Sequence, residues 1–363
     1  MIAFYIYYFF LLITLSIINP YRTGNQADET CLPTENQPVN VRDPFDIVCF
    51  MYHRFGDSRY PSTNISTQLF KSQLQYLKDN NFTVITFGEA IKRISEGGKI
   101  ENKTVVLTID DAYSTFNENA LPLLNQFGFK ATLFVNTETV GSPDYMNWEE
   151  LTALVKNGFE IGNHSHSHAY FLNREVGMID FFKEDVSLSR KLLEEKIGID
   201  PSIFAYPYGE YNEKLLEETA VLGFQAAASQ HSGVFCETTN PMAIPRFPMN
   251  DQYGSMPVFI EKANMKALRA KEAAESSTAY VENPPELKFS FSRSDYDLKR
   301  IQGYIQGGDA ILEISGDSII SVSLKSNRRL SARRVIYTIT VPAVTGKKWF
   351  WHSHLWIDPG IKD

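Results

Sequence analysis

From residue 46 onward, short apolar runs alternate with segments whose apolar residues recur every three or four positions. The runs at 46–53 ("DIVCFMYH"), 82–87, 103–110 ("KTVVLTID"), 130–136, 159–164 and 202–209 ("SIFAYPYG") read as buried strands, and "QAAAS" at 225–229 is one more short apolar run. Between them the spacing predicts helices over 66–81, 88–98, 118–129, 147–158, 181–198 and 211–224. The first has Ser66 or Thr67 as N-cap and Phe70, Leu74 and Leu77 on one face. The fourth opens with Asn147 and has Glu150 three residues on, the pattern of a capping box. Such alternation predicts a parallel sheet. About seven such units point to a barrel rather than an open sheet, with its chemistry at the C-terminal strand ends.

After residue 262 the pattern changes. A polar stretch over 263–283 reads as a linker. Residues 284–363 then carry β-type runs such as "LKFSFS", "IISVSL" and "RRVIYTITV", punctuated by glycine, which predict a small antiparallel β-sandwich. The expected fold class is therefore α/β, an irregular (β/α)7-type barrel over 46–262 followed by an accessory β-sandwich domain. At the other end, residues 2–18 are apolar, aromatic-rich and uncharged. That run is short for a membrane span and long for a signal core. Residues 1–19 are expected to be a signal peptide or an N-terminal membrane anchor and 20–45 a polar linker, with the bulk of the chain extracytoplasmic.

The net charge of −8 argues against a general nucleic-acid binder. It is unevenly spread: residues 284–363 hold 12 basic and 8 acidic side chains, which leaves −12 on the rest. Either a basic docking face or an accident of surface composition accounts for that. Three cysteines without a CxxC argue against a disulfide scaffold, and Cys49, in an apolar run, reads as core.

The titratable residues gather at predicted strand ends. His53 ends the first strand, and Asp110 and Asp111 end the third. His164, His166 and His168 follow a later strand, and Tyr206 to Tyr208 close another. In an extended strand His164 and His168 would lie about 13 Å apart, at about 3.3 Å per residue. That is too far for two bonds of about 2.0–2.1 Å to one zinc, so a shared metal requires the chain to curl here. Adjacent buried carboxylates are costly unless a cation or proton compensates them. A helix cap explains one aspartate but not two. One Asp with His164 and His168 would make a three-ligand N/O site with room for water, the donor set of a hydrolytic metal centre.

"TIDDAY", "HSHSH" and "FAYPYGEYN", in this order and spacing, resemble the polysaccharide deacetylase (NodB-homology) family over roughly residues 46–250. "MYHRFGDSRYPSTNIS" further resembles its exported poly-N-acetylglucosamine deacetylase branch. The resemblance implies one divalent metal, most often Zn2+ with Co2+ or Ni2+ as alternatives, on Asp111, His164 and His168. It implies Asp110 as the base that activates the water held by the metal, and the Tyr208 N–H as an oxyanion donor. Ser165 would orient the ligand loop. The substrate would be an N-acetylated polysaccharide and the protein a monomer, attached to the membrane through its N-terminal segment if that is uncleaved.

Two departures stand out. The family has an arginine in its third motif where this chain has Ala205, and Arg246 in "IPRFP" could occupy that space. The family's late general-acid histidine is also absent. His53 matches the early histidine of the exported branch, and His231 is the second candidate for the acid. Tyr206, His231 and Arg246 are expected to line the substrate site. His166 reads as a bystander, and His352 and His354 as an exposed strand face lacking a carboxylate partner. The competing reading is a catalytically inactive carbohydrate-binding protein on the same barrel. A peptidoglycan or other acyl-glycan deacetylase or esterase is the alternative enzyme.

Overall fold

The computed structural model describes residues 44–273, 278–280 and 282–362. The expected signal peptide or anchor and Cys31 lie outside the described residues. The first strand, β1 (Ile47–Tyr52), is buried along its whole length. A short parallel pair follows, β2 (Arg54–Phe55) and β3 (Asn64–Ile65). The chain then runs α1 (Thr67–Asp79), β4 (Thr83–Ile85), α2 (Phe87–Ser95), β5 (Thr104–Asp110), α3 (Leu121–Phe127), β6 (Thr132–Val135), α4 (Trp148–Lys156), β7 (Glu160–Asn163), α5 (Met178–Ile197), β8 (Ile203–Ala205), α6 (Glu213–Val221) and β9 (Ala226–Ala228). The predicted capping box at α4 is present: Asn147 accepts from the Glu150 N–H while Glu150 accepts from the Asn147 N–H.

The main sheet runs β1-β5-β6-β7-β8-β9, all parallel. It is less regular than seven equal units. β1 takes one side of β5, while on the other side β4 pairs with Thr104–Val106 and β6 with Thr108–Asp110. Two strands thus share one edge. The sheet curls. β10 (Val234–Phe235) pairs antiparallel with the start of β1, and β11 (Phe247–Pro248) pairs parallel with Phe50 and Met51. Ile244, just before β11, bridges to Ala228 on β9, so segment 244–248 spans from the last strand to the first.

The continuous apolar runs follow from burial on both faces. Alternate residues of β1 point to opposite sides. Val48, Phe50 and Tyr52 pack among Leu74, Leu77 and Leu124 in the helix layer. Ile47 and Cys49 join Val106, Phe134 and Ala226 in the inner cluster. Cys49 is a core residue, its thiol pushed up to about 12 by burial.

After α7 (Met256–Ala263), the segment expected as a linker contributes two short strands, β12 (Lys266–Ala267) and β13 (Lys271–Glu272). The remaining strands are β14 (Glu286–Ser292), β15 (Gln302–Ile305), β16 (Ala310–Ser315), β17 (Ile319–Ser326), β18 (Arg334–Pro342) and β19 (Trp349–Ile357). They form two four-stranded sheets, β12-β19-β18-β15 and β13-β14-β17-β16, antiparallel except for the β12–β19 pair. One apolar cluster, including Phe289, Val322, Leu324, Tyr337, Ile339 and Trp356, draws on both sheets.

These sheets and the α/β part belong to one compact unit. Asp46 accepts from the Ala267 N–H, Arg269 pairs with Glu237, and the Trp351 indole N–H donates to the Ser232 carbonyl. Among the described residues no helix is long and apolar enough to cross a membrane.

Candidate active site

Asp110 is the last residue of β5 and has no solvent exposure. Arg246, equally buried, grips it with two parallel bonds, Nη1 to Oδ1 at 2.7 Å and Nη2 to Oδ2 at 2.8 Å. The same guanidinium donates to the Ser229 carbonyl (2.9 Å) and to the Thr108 hydroxyl (3.0 Å). Burial alone would raise the Asp110 carboxyl. The charge of Arg246, with His164 and His53 nearby, more than offsets this and holds it at about 2. Arg246 comes from the segment that closes the curl, so its distance from Asp110 in sequence hides a direct contact.

Asp111 follows in a left-handed conformation (φ 72°), as does Ala112 (φ 54°). That twist turns consecutive carboxylates in different directions. His164 follows β7 directly, and the loop after it curls as a shared metal requires, with Ser165 and His168 also at positive φ (67° and 51°). The Ser165 hydroxyl accepts from the His168 N–H at 3.0 Å. Asp185, on α5, accepts the N–H groups of His166 and Ser167. Nothing in the local sequence singled out Asp185.

The donor atoms of Asp111, His164 and His168 all lie within 4.8 Å of one another. His164 Nδ1 lies 2.7 Å from the Ala205 carbonyl. A carbonyl only accepts, so Nδ1 carries a proton, and in the neutral ring Nε2 is the nitrogen left to present a lone pair. That Nε2 is buried, has no hydrogen-bond partner, and faces Asp111 Oδ1 at 3.7 Å. His168 Nε2 lies 3.4 Å from the same oxygen. Burial, with His164 beside it, lowers His168 to about 4, so its ring is neutral near pH 7. Lone pairs converging on a carboxylate leave a gap that a cation fits. The donor set and spacing suit a divalent metal with bonds of about 2.0–2.2 Å.

A cavity of about 530 Å³ opens beside this cluster, lined by His53, Asp111, His168 and Tyr208 with the rings of Tyr113 and Tyr145. Tyr208 has left-handed backbone (φ 58°, ψ 5°). Gly209 after it (φ +70°) must be glycine, because a Cβ there would meet Gln230 Cβ at 2.4 Å.

Three expected substrate contacts are corrected. Tyr206 is fully buried and its hydroxyl bonds to Thr219 (3.1 Å), so it is a core side chain. Arg246 is also fully buried and acts on Asp110, out of reach of a substrate. His231 lines a different cavity of about 570 Å³, between the α/β part and the C-terminal sheets. There it bonds to Ser229 and neighbours Glu272, His352 and His354.

The reading of His352 and His354 as an exposed face is corrected too. Glu272 of β13 supplies a carboxylate, with His352 Nε2 at 3.0 Å and His354 Nδ1 at 2.9 Å, and His354 is buried. These side chains form a polar cluster around Glu272. Among the described residues only Asp111, His164 and His168 bring three donor atoms together as a metal would need. His166 bonds to Thr137 (2.9 Å), away from the cavity.

A family model described as polysaccharide deacetylase matches residues 97–227. The chain is 26% identical over 213 residues to the poly-beta-1,6-N-acetyl-D-glucosamine N-deacetylase of Staphylococcus aureus, a match covering 56% of this chain and 73% of that protein. The structure of IcaB from Ammonifex degensii superposes with a TM-score of 0.54 at 25% identity, covering 60% of this chain and 97% of that one. The Streptococcus pyogenes deacetylase PplD, at 21% identity and a TM-score of 0.56, covers 61% and 99% and shares the fold. Residues 97–227 thus match a polysaccharide deacetylase family domain, and these relatives are polysaccharide deacetylases.

Proposed function

We propose that the protein is a divalent-metal-dependent hydrolase that removes N-acetyl groups from an N-acetylglucosamine-containing polysaccharide outside the cytoplasm. The observation that carries this reading is the buried, unpartnered His164 Nε2 aimed, with His168 Nε2, at Asp111 beside an open cavity. The similarity to poly-N-acetylglucosamine deacetylases supports the substrate class.

Asp111, His164 and His168 would hold the metal. Zinc fits this donor set, and cobalt or nickel would accept it. When bound, the metal supplies a Lewis acid that activates water and polarises the acyl carbonyl. Asp110, kept ionised by Arg246, takes a proton from the attacking water. The Tyr208 N–H donates to the developing oxyanion. His53, on the same cavity, gives a proton to the departing amine, which is a poor leaving group until protonated. Tyr113 and Tyr145 border the same cavity, where a sugar would pass.

The test compares wild type with Asp110→Asn for bound metal and for acetate release from N-acetylglucosamine oligomers, with and without chelator. About one metal per chain is expected in both proteins, because Asp110 is not a ligand. Acetate release is expected only from metal-loaded wild type. Metal-free wild type that releases no acetate would leave the inactive carbohydrate-binding reading in its place. Release from another acylated glycan alone would move the substrate to that polymer.

A further inference from the structure

We propose that the C-terminal sheets complete the active site, with Arg333 as a positioning residue that acts through Glu210 on the turn carrying Tyr208. This inference rests on the deacetylase reading and gives the added sheets a part in it. Arg333 lies outside the residues matched by the family model.

The turn Tyr206–Glu210 has to hold Tyr208 and Gly209 in consecutive left-handed conformations (φ 58° and 70°). A non-glycine residue adopts that backbone only where its surroundings over-determine it. From the α/β side the turn is held at its start, where the Tyr206 N–H donates to the Ala228 carbonyl at 3.1 Å. At its end, the hold comes from the C-terminal sheets. Glu210 is buried (3% exposed), and its carboxylate receives Arg333 Nε at 2.6 Å and Nη2 at 2.7 Å, with Arg334 Nη1 at 2.8 Å. Arg333 is itself fixed, since its Nη1 donates to the carbonyls of Pro359 (3.0 Å) and Ile361 (2.9 Å). Two charges of the basic C-terminal region are therefore turned inward onto one carboxylate.

The same two guanidinium groups bear on the ligand loop. The rings of Tyr208 and Tyr170 stack at 3.7 Å, almost parallel, and the edge of His168 meets Tyr208 at 4.5 Å. Arg333 lies 4.7 Å from the Tyr170 ring centre, and Arg334 5.5 Å from that of Tyr208. Arg333 thus ties together the turn proposed to hold the oxyanion and the ring stack that borders a metal ligand. A planar fork sets geometry in a way an ammonium cannot.

The experiment measures kcat, KM, bound metal and thermal unfolding for full-length wild type, Arg333→Lys and Glu210→Gln. N-Acetylglucosamine oligomers are the substrate. Arg293→Ala, which breaks a surface pair with Asp317 in the same sheets, is the control. Both site variants are expected to stay folded and metal-loaded and to lose at least about tenfold in kcat, with KM within about twofold, because an oxyanion donor acts in the transition state. The double variant should be little worse than either single one.

If Arg333→Lys or Glu210→Gln fails to fold, Arg334→Ala, at a partly exposed side chain, carries the same test with a severalfold loss of kcat expected. Folded, metal-loaded variants that keep wild-type kcat would overturn the inference, as would a loss of rate that only follows loss of metal. Wild type that releases no acetate would defeat the deacetylase reading and this inference with it. Active wild type beside equally active variants would defeat the inference alone.

Discussion

Arg246 and Asp110 form a bidentate ion pair, at 2.7 and 2.8 Å, in which neither side chain reaches solvent. Each is the other's compensation. Removing one partner of such a pair strands a buried charge, at a cost of about 3–5 kcal/mol. Arg246→Met should therefore destabilise the protein by roughly that amount in urea unfolding. In Asp110→Asn/Arg246→Met the stranded charge is gone, so the double variant should cost less than the two single changes together. Costs that add to within about 0.5 kcal/mol would show that the pair is not coupled.

A cation held as proposed by Asp111, His164 and His168 would bind the folded chain alone, because the unfolded chain does not bring the three together. Zinc should then raise the melting temperature in a concentration-dependent way, worth about 2.7 kcal/mol at a hundredfold excess over Kd. Chelator should reverse the shift. His164→Ala should abolish it. His166→Ala should keep it, since His166 is bonded to Thr137 away from the cavity. Equal zinc responses from the two variants would sink the ligand assignment.

His53 shares the cavity with Asp111 and His168, while His231 sits among Glu272, His352 and His354 in another. His53→Ala should lower kcat by about 10²–10⁴, the usual worth of a positioned general acid. His231→Ala should leave turnover near wild type and act on stability. A rate loss in His231→Ala alone would reverse the assignment of the acid.

The longer strands and helices α1 to α6 were legible because local periodicity sets them, and the capping box at Asn147 and Glu150 is a local signal too. The two-residue strands β2, β3 and β10 to β13, too short to show a period, and helix α7 were not read. The shared edge of β5 was not legible, because pairing register depends on contacts the sequence does not order. The Asp111, His164 and His168 cluster could be read because its residue types are costly at buried strand ends without a cation. Arg246 could be read as the stand-in for the missing motif-three arginine, and it does pair with Asp110. The roles of Glu272 and Arg333 could not be read, because they too lie in long-range ion pairs. Arg246 meets Asp110 136 positions away, and Arg333 meets Glu210 123 positions away. An isolated arginine or glutamate in a polar stretch looks like solvated surface until the fold brings its partner. Glu272 shows the consequence: without it, His352 and His354 looked like an exposed strand face.

The cluster around Glu272 should make the protein acid-sensitive in two overlapping ranges. Burial alone would raise the Glu272 carboxyl, but hydrogen bonds from His352 and His354 hold it well below its ordinary value of 4.5. Its contribution is therefore present above about pH 4.5 and lost as pH falls below it, because the unfolded chain takes up the proton first. His231 is shifted the other way for a base. Burial, with His354 beside it, lowers it from 6.5 to about 3. Between those values the unfolded chain again binds the extra proton, so stability falls as pH drops from about 6.5 toward 3. Tyr211 on the turn before α6 also faces Glu272, and Glu213, Arg269 and Lys271 line the same cavity. Urea midpoints measured from pH 8 to 3.5 should decline below about 6.5 and more steeply below about 4.5. Glu272→Gln should lessen the decline in the lower range, to which Asp110 also contributes, and His231→Asn in the upper one, to which His168 also contributes. A wild-type profile reproduced unchanged by both variants would assign the acid sensitivity to groups elsewhere.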